Sequence, residues 1–168
     1  MTRPGSSFLH PTTISRKVDG EFSVIVWDGQ RAIALNPGGA VRVGGAVLEG
    51  AATLLRAAGA GSALIAAELY VDREDGKRAR VHDVSRIARK PDSVAALESL
   101  RLAVFDIIEW NGDAIDGGFE NTWATITAVF GAGKWIAPVD AVRGKDAKSV
   151  LAQFEKWVEE EGSEAKDW

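Results

Sequence analysis

The sequence predicts an α+β fold of largely antiparallel sheets with flanking helices. Three observations carry that expectation. Glu21–Trp27 and Arg31–Leu35 are β-prone runs on either side of Asp28-Gly29, the pattern of a tight hairpin. Ala63–Tyr70 and Leu102–Ile108 are apolar runs of strand length, each interrupted by a single carboxylate, Glu68 and Asp106. Helical spacings fall between and after these runs, and no internal repeat is visible.

Taken in order, strands are expected over about 14–27 and 31–35, with Asn36-Pro-Gly-Gly39 as a turn. Leu48, Ala51, Ala52 and Leu55 share one helical face, and Gly59 suits the C-terminus of that helix. A strand over 63–70 leads into a charged turn around Gly76. A short basic helix or turn follows from Val84 to Lys90, stopped by Pro91. Asp92 is expected to cap a helix over 93–100 that turns Val94, Leu97 and Leu100 inward. A strand at about 101–109, a helix over 120–130 and a strand at 134–139 come next. The last helix, from Ala147 to about Glu160, aligns Val150, Leu151, Phe154, Trp157 and Val158 on one face.

Composition removes several chemistries. The 168 residues contain no cysteine, which excludes disulfides, thiolate metal ribbons and thiol nucleophiles. The two histidines, His10 and His82, lack companions at ligand spacing. No GxxxxGK[ST] loop and no nucleophile elbow is present. No secretory signal is visible and no apolar run reaches membrane length, so a cytoplasmic protein without membrane attachment is the expectation. The net charge of −4 argues against a uniformly basic coat, though not against a local basic face.

The residues that attract attention are Lys17-Val-Asp-Gly20, directly before a strand, and the carboxylates Glu68 and Asp106 within apolar strands. A lysine acts as a nucleophile only as the neutral amine. A carboxylate in an apolar strand is costly to bury unless it is paired or lines a cavity. Each feature alone reads equally as surface or as a structural ion pair. As an ordered set they resemble something more specific.

Ile14-Ser-Arg-Lys-Val-Asp-Gly20, Ala67-Glu-Leu-Tyr70, Arg78–Val84 with His82-Asp-Val-Ser-Arg86, Leu102-Ala-Val-Phe-Asp-Ile107 and Glu155–Glu164 follow one another over nearly the whole chain. That succession resembles the nucleotidyltransferase (adenylation) domain of ATP-dependent DNA ligases, an ATP-grasp-like fold shared with RNA ligases and mRNA-capping enzymes. The resemblance implies that Lys17 is the catalytic residue that becomes adenylylated from ATP. It implies that Asp19 and Gly20 shape the nucleotide site, that Glu68 holds the ribose, and that Phe105 stacks on adenine. Glu164 and Asp106 are implied at the magnesium and phosphate shell. Nicked DNA is the implied partner, with nicked RNA as the alternative. Arg42, Arg78, Arg80 and Arg86 are candidates for its phosphates, and a solvated charged hairpin is an equal reading of that basic segment.

The sequence also departs from the family. Phe22 stands two places after Gly20, where the family carries an arginine. After Glu164 the family continues into a further strand and a Lys-x-Lys pair, and then an OB-fold domain. The reading over 1–168 is therefore a single nucleotidyltransferase domain incomplete at its C-terminus, without an OB-fold, awaiting a C-terminal domain or partner protein. A nucleotide- or nucleic-acid-binding domain without turnover is the second reading.

Overall fold

A computed structural model describes residues 7–73 and 80–161 of the chain. The chain divides into two compact units, Met1–Lys17 with Asp140–Trp168, and Val18–Val139.

The larger unit is built on a six-stranded sheet. Its elements are β2 (Glu21–Trp27), β3 (Ala32–Leu35), β4 (Val41–Val43), α1 (Ala46–Ala57), β5 (Ala63–Val71), α2 (Val81–Arg89), α3 (Val94–Glu98), β6 (Leu100–Trp110), α4 (Phe119–Phe130) and β7 (Ile136–Pro138). The strand order is β4-β3-β2-β5-β6-β7, antiparallel throughout except for the β6–β7 pair, which is parallel. Side chains alternate across a pleated strand, so each strand presents two different faces. Ile25, Trp27, Ala34, Ile65, Ala67, Leu69, Leu102 and Val104 lie on one face and form the core with Leu48, Ala51 and Leu55 of α1, Val84 and Ile87 of α2, and Ile126 and Phe130 of α4. The Trp27 indole N–H donates to the Ala60 carbonyl at 2.8 Å, which satisfies the one polar atom of this buried ring. Helices therefore cover one face of this sheet. Phe22, Val24, Ala66, Glu68 and Ala103 are register partners on the other.

The smaller unit holds β1 (Ser7–Ser15) and β8 (Ala141–Asp146), an antiparallel pair with an irregularity between Ser7 and Thr12, and α5 (Ala147–Glu161). The mainly antiparallel α+β expectation holds in both units.

Four details differ from the sequence reading. The strand expected over about 14–27 is broken at the segment that ends in Gly20: β1 stops at Ser15 in the smaller unit and β2 starts at Glu21 in the larger. Ser93, not Asp92, caps α3: its hydroxyl accepts the Ala96 N–H at 3.1 Å from an extended backbone, while Arg86 engages the Asp92 carboxylate at 2.8 Å. Because α3 ends at Glu98, Leu100 enters β6 and is buried. Val94 and Leu97 stay 71% and 43% exposed. On α5, Leu151 and Phe154 are 55% and 51% exposed, so the five apolar residues do not act as one buried face.

A titrating carboxylate caps the start of α5. The Asp146 carboxylate accepts the Ser149 N–H at 2.8 Å, and the Ser149 hydroxyl donates to the Asp146 carbonyl at 2.9 Å. The Ser149 backbone N–H, then its hydroxyl and the Lys148 charge, hold Asp146 below the usual aspartate value. A depressed folded-state pKa adds stability that is present above the ordinary aspartate value and is lost as pH falls through the lowered one. Asp146→Asn keeps a capping oxygen but no titrating charge. The helicity advantage of wild type over this variant should shrink on acidification through that window, as followed by hydrogen exchange of the first turn of α5. A difference independent of pH would contradict the assignment.

Candidate active site

Glu68 sits in the middle of the helix-free face of the six-stranded sheet. Its cross-strand neighbours are Phe22 on β2 and Ala103 on β6. Directly opposed residues in antiparallel strands share a face and lie within side-chain reach. The backbone N–H of Gly20 donates to Glu68 Oε1 at 3.2 Å, which binds the Lys17-Val-Asp-Gly20 segment to β5 at its glycine. A side chain at position 20 has no room. A Cβ there would stand 2.1 Å from the Leu69 carbonyl oxygen and 3.0 Å from Glu68 Cγ. The glycine is therefore required by close approach of two backbones. Gly20→Ala should displace the segment and lower stability by about 1–3 kcal/mol, the usual cost of overpacking, as read from thermal or urea unfolding. Unchanged stability would show that the approach is looser than described.

Phe105 reaches the same face through an irregularity in β6. Ala66 pairs with Asp106 and Ala67 with Val104, so Phe105 is an extra residue in the ladder. A bulge of this kind re-aims a side chain and reverses the alternation of the residues beyond it. Here it allows Val104 and Ile107 both to enter the core, while the Phe105 ring lies 6.0 Å from that of Phe22 at an interplanar angle of 39°. Asp106, half-buried, shares the register of Ala66 on this face, and its Oδ1 accepts the Ile107 N–H at 2.8 Å.

Gly20, Phe22, Glu68, Phe105 and Asp106 thus converge from three strands. Asp19 is half-buried one residue before Gly20. Lys17 is exposed, closes the smaller unit, and stands three residues before Gly20 in the chain. Glu164 and Arg78 lie outside the described residues.

The three described cationic candidates are placed elsewhere. Arg42 pairs with Ala34 in the β3–β4 register, on the helix-covered face, and its guanidinium meets Glu21 at 2.6 Å. Arg80 begins α2, where its N–H bonds the Asp83 carboxylate at 3.1 Å. Arg86 is engaged by Asp92. The helix α2 packs through Val84 and Ile87 into the core, so Arg80 and Arg86 belong to the side of the sheet away from Glu68. The sequence reading missed two partnerships, Phe22 with Phe105 and Arg42 with Glu21. The parity of β2 across the Asp28-Gly29 hairpin carries the signal for the first, because it puts residue 22 opposite Trp27, Ile25 and Ser23.

The chemistry available on this face is a carboxylate among aromatic rings. A carboxylate accepts hydrogen bonds from a vicinal diol, and an aromatic ring offers its face to a planar base. No group of three His, Asp or Glu side chains suited to a metal is found among the described residues. Magnesium carried by a nucleotide takes most of its ligands from phosphates and water and needs only one or two carboxylates. Asp106 can supply one. No helix among the described residues is long and apolar enough to cross a membrane.

The fold has solved counterparts among DNA ligases. The Pmar-Lig PreS3 structure superposes with a TM-score of 0.64 at 12% identity, over 89% of this chain and 36% of that one. A Lig E DNA ligase, from a study of DNA binding with a minimal scaffold, gives 0.60 at 15% identity over 94% of this chain and 54% of that one. The mycobacterial DNA ligase D complexed with ATP and MES gives 0.52 at 13% identity, over 85% and 44%. The chain therefore spans between 36% and 54% of the length of these ligases. No protein-family model and no curated protein sequence matches it.

Proposed function

We propose that the chain, which shares its fold with DNA ligase structures, is an ATP-dependent nucleotidyltransferase domain that adenylylates Lys17 and passes AMP to the 5′-phosphate at a nick in DNA. The observation that supports this most is the convergence of Gly20, Glu68 and Phe105 on the helix-free face. Lys17 precedes that glycine by three residues. The fold shared with DNA ligases, one of them solved with ATP, supports it further.

The division of labour follows from the side chains. Glu68 accepts hydrogen bonds from the ribose hydroxyls, and Phe105 packs on the adenine. Lys17 attacks the α-phosphorus as the neutral amine: an N–P bond forms, the bond to the bridging oxygen breaks, pyrophosphate leaves, and the amine proton passes to solvent. A 5′-phosphate oxygen then displaces the lysine nitrogen, which takes up a proton. Finally the 3′-hydroxyl at the nick attacks that 5′-phosphorus and AMP leaves. Magnesium, when bound, neutralises phosphate oxygens, and Asp106 with Glu164 would hold it. Positioning and charge stabilisation carry most of the catalysis in reactions of this class.

Incubating the chain with ATP labelled at the α-phosphorus, with magnesium, should give an acid-labile label on the protein. A subsequent chase with nicked DNA should move that label to the 5′-phosphate. Transfer to nicked RNA alone would favour an RNA ligase-type enzyme. Nucleotide binding without any label would favour the reading of a binding domain without turnover.

A further inference from the structure

The ring at position 22 has no place in the reading above, and its surroundings are unusual for a solvent-facing strand residue. Phe22 is 38% exposed on the helix-free face, directly opposite Glu68 in register. Its ring centroid lies 6.0 Å from that of Phe105, although β5 runs between their strands. Ala66 of the intervening strand and Ala103 of β6, on this face, are small and buried. They leave room for the two rings to meet above β5, beside the larger side chain of Glu68.

A separation of 6.0 Å with a 39° tilt is that of two rings packed on each other, within the range of about 4.5–7 Å usual for aromatic pairs. A base cannot enter between them. The two rings instead make one continuous apolar wall, and the Glu68 carboxylate stands beside it. A wall of that width next to a hydrogen-bond acceptor matches a nucleoside: a planar base against the rings and a vicinal diol against the carboxylate.

We propose that Phe22 is a second ring of the base-binding wall, so that recognition at this position is directed at the base of the nucleotide and not at its phosphates. This rests on the assignment of Glu68 and Phe105 to a nucleotide site. Its consequence concerns selectivity. A cation at position 22 would attract phosphates, whereas a ring contributes equally to adenosine, AMP and ATP. Part of the affinity at this site is therefore independent of ligand charge and of salt.

The test is calorimetric titration of the purified chain with adenosine and with ATP plus magnesium, for wild type, Phe22→Ala, Phe22→Leu and Phe22→Arg, with thermal melts as a check on folding. Phe22→Ala should weaken adenosine and ATP by the same factor, at least about five-fold, the scale of one base–aromatic contact. Phe22→Leu, which keeps apolar area without a π face, should fall between. Phe22→Arg should lose adenosine affinity while raising the preference for ATP over adenosine, and that preference should fade with added salt. If wild type binds adenosine and the alanine variant binds it equally well, the inference about Phe22 fails while the nucleotide site stands. Loss of ATP affinity with adenosine affinity unchanged would place position 22 at the phosphates and also overturn it. If wild type binds neither ligand, the nucleotide site itself is wrong and the inference falls with it.

Discussion

Lys17→Ala is expected to abolish covalent labelling by ATP, not merely to slow it. The phosphoramidate needs a nitrogen nucleophile, and alanine offers none. The described lysines of the larger unit do not substitute: Lys90 follows the last turn of α2, on the helix-covered side, and Lys134 is held 4.6 Å over the Trp135 ring. Lys17→Arg should fail as completely, because a guanidinium stays protonated at any accessible pH and has no lone pair to offer. Binding of ATP should survive both substitutions, since base and ribose contacts are assigned to Phe105 and Glu68. The measurement is radiolabel incorporation per chain beside calorimetric affinity for ATP. Undiminished labelling of either variant would remove Lys17 as the nucleophile.

The second large effect belongs to Glu68. Removing its carboxylate withdraws the acceptor proposed for the ribose together with the acceptor for the Gly20 N–H. Hydrogen bonds to a charged group contribute about 1.5–3 kcal/mol, so Glu68→Ala should weaken ATP by about 10- to 100-fold. The structural part of that loss can be separated from the ribose part. Wild type should discriminate against 2′,3′-dideoxy-ATP, which offers no diol, and Glu68→Ala should bind the two nucleotides alike. Glu68→Gln retains one accepting oxygen and should lie between. Discrimination that persists in the alanine variant would assign the ribose to another residue.

Much of this arrangement was legible in the sequence where local chemistry decides structure. The Asp28-Gly29 hairpin fixed β2 against β3, and the 3.6-residue spacing of Leu48, Ala51 and Leu55 gave the buried face of α1. Elements that depend on distant partners were not legible. β4 is three residues long, and β8 is a polar strand containing Gly144 whose pairing partner is β1, more than a hundred residues earlier. The parallel pairing of β7 follows from the crossover through α4, which no local signal announces. The bulge at Phe105 was hidden for a related reason. Alternation alone puts residues 104 and 106 on the same face, and only the ladder against β5 shows that Val104 and Asp106 part company. The candidate residues Gly20, Glu68 and Phe105 were singled out by their order along the chain. Phe22 stood in the sequence as a departure, and its meeting with Phe105 required the tertiary structure.

Adenylylation of Lys17 can be read by peptide mapping with mass spectrometry after incubation of the chain with ATP and magnesium. One AMP adduct is expected, carried by the peptide that contains Lys17, acid-labile, and lost when pyrophosphate is added back to reverse the reaction. An adduct on any other lysine, or an unmodified chain that nevertheless binds ATP with full affinity, would contradict it.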